Sequence, residues 1–246
     1  MVKRTGQARR LEAFYQQSVD PWGFEIEEYE QERYAATLAV LDRGRYEDVL
    51  EIGCGEGAFT FRLAERAGRV LGVDISETAI GRARSRSVEY PNTSFIAMDI
   101  GAALPQGKFD LIVCSEVFYY VRPFSRLNIA RRLLERLAPD GELLLVHSHR
   151  SETTTWPDVY GEGGAEGLHR LFTHYLTMIT VTSRAMDGYQ IDLLRPNPEF
   201  NGIIRPIEMA RLAVANTRAV VTHDVSEAAR AILARTQSLG RRTTFQ

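Results

Sequence analysis

The sequence is short of cysteine, of lysine and of long apolar runs, and each shortage excludes something. Its two cysteines, Cys54 and Cys114, sit in apolar stretches and supply neither a disulfide framework nor a metal ligand set. Apolar runs such as Leu111 to Cys114 and Leu143 to Val146 have four residues, whereas a membrane-spanning helix needs about 20. The basic start, Met1 to Arg10, has no apolar segment behind it and does not read as a secretory signal. A cytoplasmic address and no membrane partner are therefore expected. There is no internal repeat and no Pro/Gly/Ser-rich linker, so the first 196 residues read as one unit. Lysine is nearly absent, with 2 against 28 arginines, a pattern of coding before chemistry.

What is present is enough apolar material, 44% of 246 residues, to bury a sizeable core. The net charge of −2 implies neither nucleic acid nor an anionic membrane as partner. Its distribution is uneven. Residues 1–10 carry four basic groups and no acid, and residues 197–246 carry seven Arg against four acids, which leaves −9 for residues 11–196.

Helices are expected over 8–18 and 28–41, around the aromatic, proline-broken segment Asp20-Pro-Trp-Gly-Phe24. Strands are then expected over 49–53, 69–74, 93–97, 109–114 and 142–147. Helices fall between them over 58–66, 76–87 and 124–137, the second opened by Ser76 as N-cap. Strands spaced by helices of this length argue for a parallel sheet covered on both faces. A turn-rich loop over 151–164 and a helix over 165–175 follow. Two strands around Asp187-Gly188 close the sheet as an antiparallel pair, giving seven strands. Beyond Pro196-Asn-Pro198, helices over 204–218 and 224–237 form a C-terminal extension. It covers the substrate entrance or makes a homodimer contact, and the sequence does not choose.

The most informative stretch is Val49-Leu-Glu-Ile-Gly-Cys-Gly-Glu-Gly57, a buried strand turning over three glycines, Gly53, Gly55 and Gly57, into a helix. Missing Cβ atoms let the backbone approach a ligand closely. Asp74 ends the next strand 19 residues after Gly55, where a carboxylate can accept ribose hydroxyls. Gly53 to Ala58 also satisfies the dinucleotide pattern G-x-G-x-x-A, so a nicotinamide cofactor is one reading. Three features weigh against it. Glu51 adds an acid that would repel a pyrophosphate and favour a ligand bearing an amino group and a sulfonium. Asp99, beside Met98 and Ile100, suits an adenine. The fourth strand delivers Glu116 and Tyr119 to the carboxyl edge where ligands bind. The acid count favours S-adenosylmethionine.

Residues 49–147 resemble a class I S-adenosylmethionine-dependent methyltransferase. The likeness rests on the glycine loop, Asp74 with Ile75, Asp99 with Ile100, Phe109-Asp-Leu111 and Leu137-Ala-Pro-Asp-Gly141, in order and at normal spacing. A narrower likeness rests on Asp20-Pro-Trp-Gly23, Tyr29-Glu-Gln-Glu-Arg33, Gly57-Ala-Phe-Thr60 and Glu116-Val-Phe-Tyr-Tyr120, which are similar to the NodS-like nodulation methyltransferases. That resemblance implies a Rossmann-like fold with an N-terminal helical cap and N-methylation of the free amine of a deacetylated chitooligosaccharide. It fades after about His149.

Trp22 either caps the adenosine or plugs the N-terminal helices onto the sheet, and Arg33 either pairs with the cofactor carboxylate or lies on the surface. His147 and His149 fall at the end of the fifth strand, on the same face by alternation, and with Glu116 they are the candidate proton acceptors. Among the three, His149 stands nearer the opening. His169 and His174 are spaced by five residues, which suits no shared metal. The expected acceptor is an amine or hydroxyl of a small molecule or glycan. The rivals are an NAD-dependent oxidoreductase and an idle cofactor-binding protein with a partner-docking tail.

Overall fold

The computed structural model describes residues 6–149 and 164–199. Two helices, α1 (Gly6–Gln17) and α2 (Glu28–Ala39), come first. They are followed by β1 (Tyr46–Ile52), α3 (Ala58–Ala64), β2 (Ala67–Asp74), α4 (Glu77–Arg86), β3 (Thr93–Ala97), β4 (Phe109–Ser115), α5 (Pro123–Leu134) and β5 (Leu137–Ser148). The short α6 (Gly164–Arg170) then leads into the hairpin β6 (Ile179–Ala185) and β7 (Tyr189–Arg195). The sheet order is β3-β2-β1-β4-β5-β7-β6. Strands β1 to β5 pair in parallel, and β7 runs antiparallel to both β5 and β6. This is the doubly wound seven-stranded α/β sheet expected from the sequence.

Strict alternation in the central strands divides the core into two layers. Leu50, Ile52, Ile112, Cys114, Leu143 and Leu145 face one layer with Ile129 and Leu133 of α5. Val49, Leu111, Val113, Leu144 and Val146 face the other with Tyr34 of α2 and Phe59 and Leu63 of α3. Because both faces are covered, these strands read as continuous apolar runs. The parity places functional side chains as well. Glu51 falls on the α2–α3 face, whereas His147 and Asp192 share the parity of Leu145 and Leu194 on the other.

Ser76 caps α4 as expected, its hydroxyl accepting from Ala79 N–H at 3.1 Å. Strand β5 differs from expectation. It begins at Leu137, pairing with Phe109, and the next register pair is Leu111 with Glu142. Pro139-Asp140-Gly141 is thus a bulge within the strand, and α5 ends earlier, at Leu134. The loop over 151–163 and both C-terminal helices lie outside the described residues.

Candidate active site

Parallel register brings the functional ends of four strands into one row. Ile52 lies between Val73 and Cys114, and Cys114 pairs with Leu145. One step further, Gly53, Asp74, Ser115 and Val146 emerge at the same carboxyl edge, and Glu116 and His147 follow. Asp74 pairs with Ala97, so Asp99 leaves the sheet beside it.

On the β1–β3 side, Gly53, Gly55 and Gly57 all have left-handed backbone, with φ of +77°, +53° and +87°. A Cβ at Gly53 would stand 2.8 Å from the Val117 side chain, and one at Gly55 would stand 2.7 Å from the Tyr15 hydroxyl. Glycine is therefore required twice over, by conformation and by close approach. Asp74 accepts from Gly55 N–H at 3.0 Å and from Ser76 N–H at 2.8 Å. A carboxylate offers about four acceptor positions, so capacity remains for ribose hydroxyls. Burial raises the Asp74 pKa, its backbone donors oppose that shift, and Glu12 adds to the rise. Glu51 is buried with its carboxylate on the Thr60 hydroxyl. Burial pushes its pKa up to about 7, Thr60 draws it down, and Asp74 raises it. Two acids crowded at a glycine loop suit a ligand carrying an amino group and a sulfonium, and repel a pyrophosphate.

Ile75 and Ile100 are half-buried against the core beside this edge. Asp99 is exposed, with Oδ1 accepting from Gly101 N–H at 2.8 Å. Trp22 packs against α1, its ring centroid 4.6 Å from Phe14 and 5.1 Å from Tyr15. It also packs against the main core cluster. The plugging role is thus filled, and Trp22 reaches the site through Tyr15.

On the β4–β5 side, Arg33 is 2% exposed and so is no surface residue. Its guanidinium pairs with Glu30, donates to Ser115 Oγ at 3.2 Å and lies 3.9 Å from Glu116 Oε1. The acidic partners hold it charged against the cost of burial. Glu116 has φ of +52°, uncommon for a residue with a Cβ. Its carboxylate compensates, accepting from Ser148 N–H at 2.6 Å and Ser148 Oγ at 2.9 Å, with the Tyr119 hydroxyl oxygen 3.3 Å away. Burial raises the Glu116 pKa, and Arg33 and the Ser148 donors pull it back.

The two histidines part company. His149 is exposed just past β5, its backbone N–H on Gly188 carbonyl at 2.7 Å. His147 is fully buried. Its Nδ1 lies 3.0 Å from His169 Nε2, and its Nε2 accepts from Phe118 N–H at 3.4 Å. The expectation that His147 stands open at the edge is corrected. Alternation sets its face, but α6 and the turn at Phe118–Tyr120 cover that face, and both ring nitrogens are engaged.

Sequence reasoning missed Tyr15 and Glu12 of α1 and Ser148, His169 and Asp192. Glu12 accepts from Ser76 Oγ at 2.7 Å and Thr78 Oγ1 at 2.8 Å, fastening α1 over the β2–α4 turn. The apolar spacing of Ala8, Leu11 and Tyr15 was a usable sign that α1 packs inward. A lone acid inside Tyr189-Gln-Ile-Asp-Leu-Leu194 was a sign for Asp192. Among the described residues, no three His, Cys, Asp or Glu side chains form a set able to hold a metal.

The family described as nodulation protein S matches residues 9–191. Nodulation protein S of Bradyrhizobium diazoefficiens is 38% identical over 163 residues, covering 65% of this chain and 76% of that protein. The Rhizobium tropici protein of the same name is 32% identical, covering 65% of this chain and 67% of its own length. Among solved structures, the N-methyltransferase NodS from Bradyrhizobium japonicum WM9, in complex with S-adenosyl-L-homocysteine, superposes with a TM-score of 0.69 at 29% identity. It covers 79% of this chain and 100% of its own. A match running from α1 into β7 takes in both sides of the edge described above, and by it this chain belongs to the nodulation protein S family.

Proposed function

We propose that this protein N-methylates the free amine of an amino sugar, with a deacetylated chitooligosaccharide as the acceptor class. The enzyme is an S-adenosylmethionine-dependent methyltransferase, and the nicotinamide and idle-binder readings are set aside. When bound, the cofactor supplies an electrophilic methyl group on a sulfonium. The glycine loop and Asp74 fit its nucleoside, and Arg33 fits its carboxylate. Glu51 favours its positive charge, and Asp99, Ile75 and Ile100 flank the place for adenine.

The observation that carries the acceptor reading is the fixed Glu116 carboxylate at the next strand end. Two donors of Ser148 orient it, and acceptor capacity remains for a third group. An amine arriving as an ammonium ion is attracted there and must lose a proton before its lone pair can attack. Glu116 accepts that hydrogen bond and aims the nitrogen, and His149 is a second, solvent-facing acceptor. His147 acts through the turn it holds. The likeness to a solved N-methyltransferase of the same family supports this reading.

The test is methyl transfer from tritium-labelled S-adenosylmethionine to a panel of a glucosamine tetramer, its fully acetylated form and simple phenols. Label on the amine nitrogen of the tetramer is expected. Label on a phenol or sugar hydroxyl, with none on nitrogen, overturns the proposal. Cytoplasmic residence, and the absence of nucleic-acid or membrane partners, belong to the same proposal. No helix among the described residues is long and apolar enough to cross a membrane. The extension over 197–246 is proposed as an add-on that shields the acceptor or joins two copies, since the family match ends at residue 191. A chain cut after Asn197 is expected to stay soluble and bind S-adenosylhomocysteine, and insolubility of the cut chain alone overturns that boundary.

A further inference from the structure

Behind the acceptor edge runs a buried polar chain that links three elements. Asp192 of β7 receives Ser183 Oγ at 2.6 Å and Gln190 Nε2 at 2.8 Å on Oδ1, and its Oδ2 lies 2.7 Å from His169 Nδ1. His169 of α6 passes the contact to His147 of β5, and His147 meets Phe118 N–H. All three side chains are buried. We propose that His169 and Asp192 are positioning residues for methyl transfer, holding the Glu116–Tyr120 turn at the acceptor edge by fixing one hydrogen-bond direction through His147.

The direction is forced from both ends. A backbone N–H can only donate, so His147 Nε2 must be bare. A neutral imidazole then carries its hydrogen on Nδ1 and donates it to His169 Nε2. His169 in turn carries hydrogen on Nδ1 and donates to Asp192, which can only accept. One pattern satisfies every atom. Neutral His147 agrees with its pKa, lowered by burial first and then by His169, Arg126 and Arg33.

The far end of the chain is the turn that bears the site. Glu116 sits in left-handed backbone immediately before it, a conformation that persists only when its surroundings impose it. The Tyr119 ring stands edge-on to His147 at 5.0 Å, and its hydroxyl donates to Ser148 carbonyl at 2.7 Å. Arg126 closes the other side, donating to the carbonyls of Val121 at 2.9 Å and Tyr119 at 3.1 Å. Phe118 N–H thus ties the turn to the relay by a hydrogen bond whose acceptor exists only while the chain runs in this direction.

The test uses the full chain in four forms and reads two signals. Imidazole ¹⁵N spectra with S-adenosylhomocysteine bound report the tautomers and need no acceptor. Initial rates with S-adenosylmethionine and a glucosamine tetramer report turnover and rest on the proposed substrate. In Asp192→Asn, the Ser183 and Gln190 donors keep the amide oxygen on their side, so the amide N–H₂ faces His169 Nδ1. Both histidines must then carry hydrogen on Nε2, and His147 meets Phe118 donor to donor.

The parent is expected to show hydrogen on Nδ1 of both rings, and Asp192→Asn the reverse. In that variant kcat should fall about 10–100-fold, as for a small misplacement of reacting groups, with cofactor KM nearly unchanged. His169→Gln can accept from His147 and donate to Asp192, so it should retain a rate within a few-fold of the parent. His169→Leu fills the space without the direction and should lose as much rate as Asp192→Asn. Purely structural packing predicts the opposite order for the two His169 variants, and that result overturns the proposal even if Asp192→Asn does not fold. Hydrogen on Nε2 of His147 in the parent also overturns it. If the parent leaves the tetramer unmethylated, the amino-sugar reading fails and the parent tautomers alone decide the relay.

Discussion

The two sides of the ligand edge are built in different ways. On the β1–β3 side the determinants are local: three glycines within five residues, and acids within two positions of strand ends. On the β4–β7 side they are assembled from distant segments. Arg33 of α2 reaches Ser115, Glu116 bonds Ser148, and the relay joins β5, α6 and β7. The glycine loop can be written into a short stretch because its geometry is a property of one turn. Acceptor geometry depends on how segments far apart in sequence pack.

The sharpest way to break this contrast is at Glu116. Glu116→Gln keeps the shape but offers Ser148 a neutral, weaker partner and removes the charge facing Arg33. Turnover is expected to fall about 10²–10⁴-fold while the affinity for S-adenosylhomocysteine stays nearly intact. A loss of only a few-fold in initial-rate measurements would mean that proximity carries the reaction on both sides of the edge.

Asp74 tests the opposite side. Asp74→Ala leaves Gly55 and Ser76 N–H without their acceptor and removes the partner proposed for the ribose hydroxyls. Cofactor binding should weaken by about 1–3 kcal/mol, read by titration calorimetry. An unchanged dissociation constant would remove Asp74 from the site.

Glu51 gives a pH signature. Its carboxyl prefers the proton when folded, with the pKa pushed from 4.5 up to about 7. Between those values the folded state binds more protons than the unfolded chain. Stability supplied by the neutral form is therefore full below the unfolded pKa and is lost as pH rises through about 7. The cationic cofactor prefers the charged form, so affinity should run the other way, falling about tenfold from pH 8 to pH 6. Glu51→Gln should flatten both profiles relative to the parent. Parallel profiles for parent and variant would assign the pH dependence elsewhere.

The same contrast explains what could be read from the chain. Alternating apolar runs, the Ser76 cap, the Asp187-Gly188 hairpin and the glycine loop are each decided within about ten residues, and each was legible. The bulge at Pro139–Gly141 was not, because the pairing of Leu137 with Phe109 is a tertiary choice that outweighs a local turn signal. His147 was placed on the correct strand, but its burial depends on α6 covering that face. Tyr15 needed the knowledge that α1 folds back over Gly55.

The smallest effect is expected at His149. The structure gives it a backbone tie to Gly188 and leaves it exposed beyond the last pair of the β5–β7 ladder, Ser148 with Tyr189. A solvent-facing proton acceptor competes with water, which replaces it readily once it is removed, whereas a buried carboxylate fixed by the two Ser148 donors has no such substitute. His149→Ala should therefore lower turnover only a few-fold and leave the cofactor dissociation constant unchanged. The ranking against Glu116→Gln carries the content. If His149→Ala costs about 10²-fold or more, measured on the same acceptor, the proton leaves through the open rim of the site. Glu116 would then be reduced to a strut for the turn.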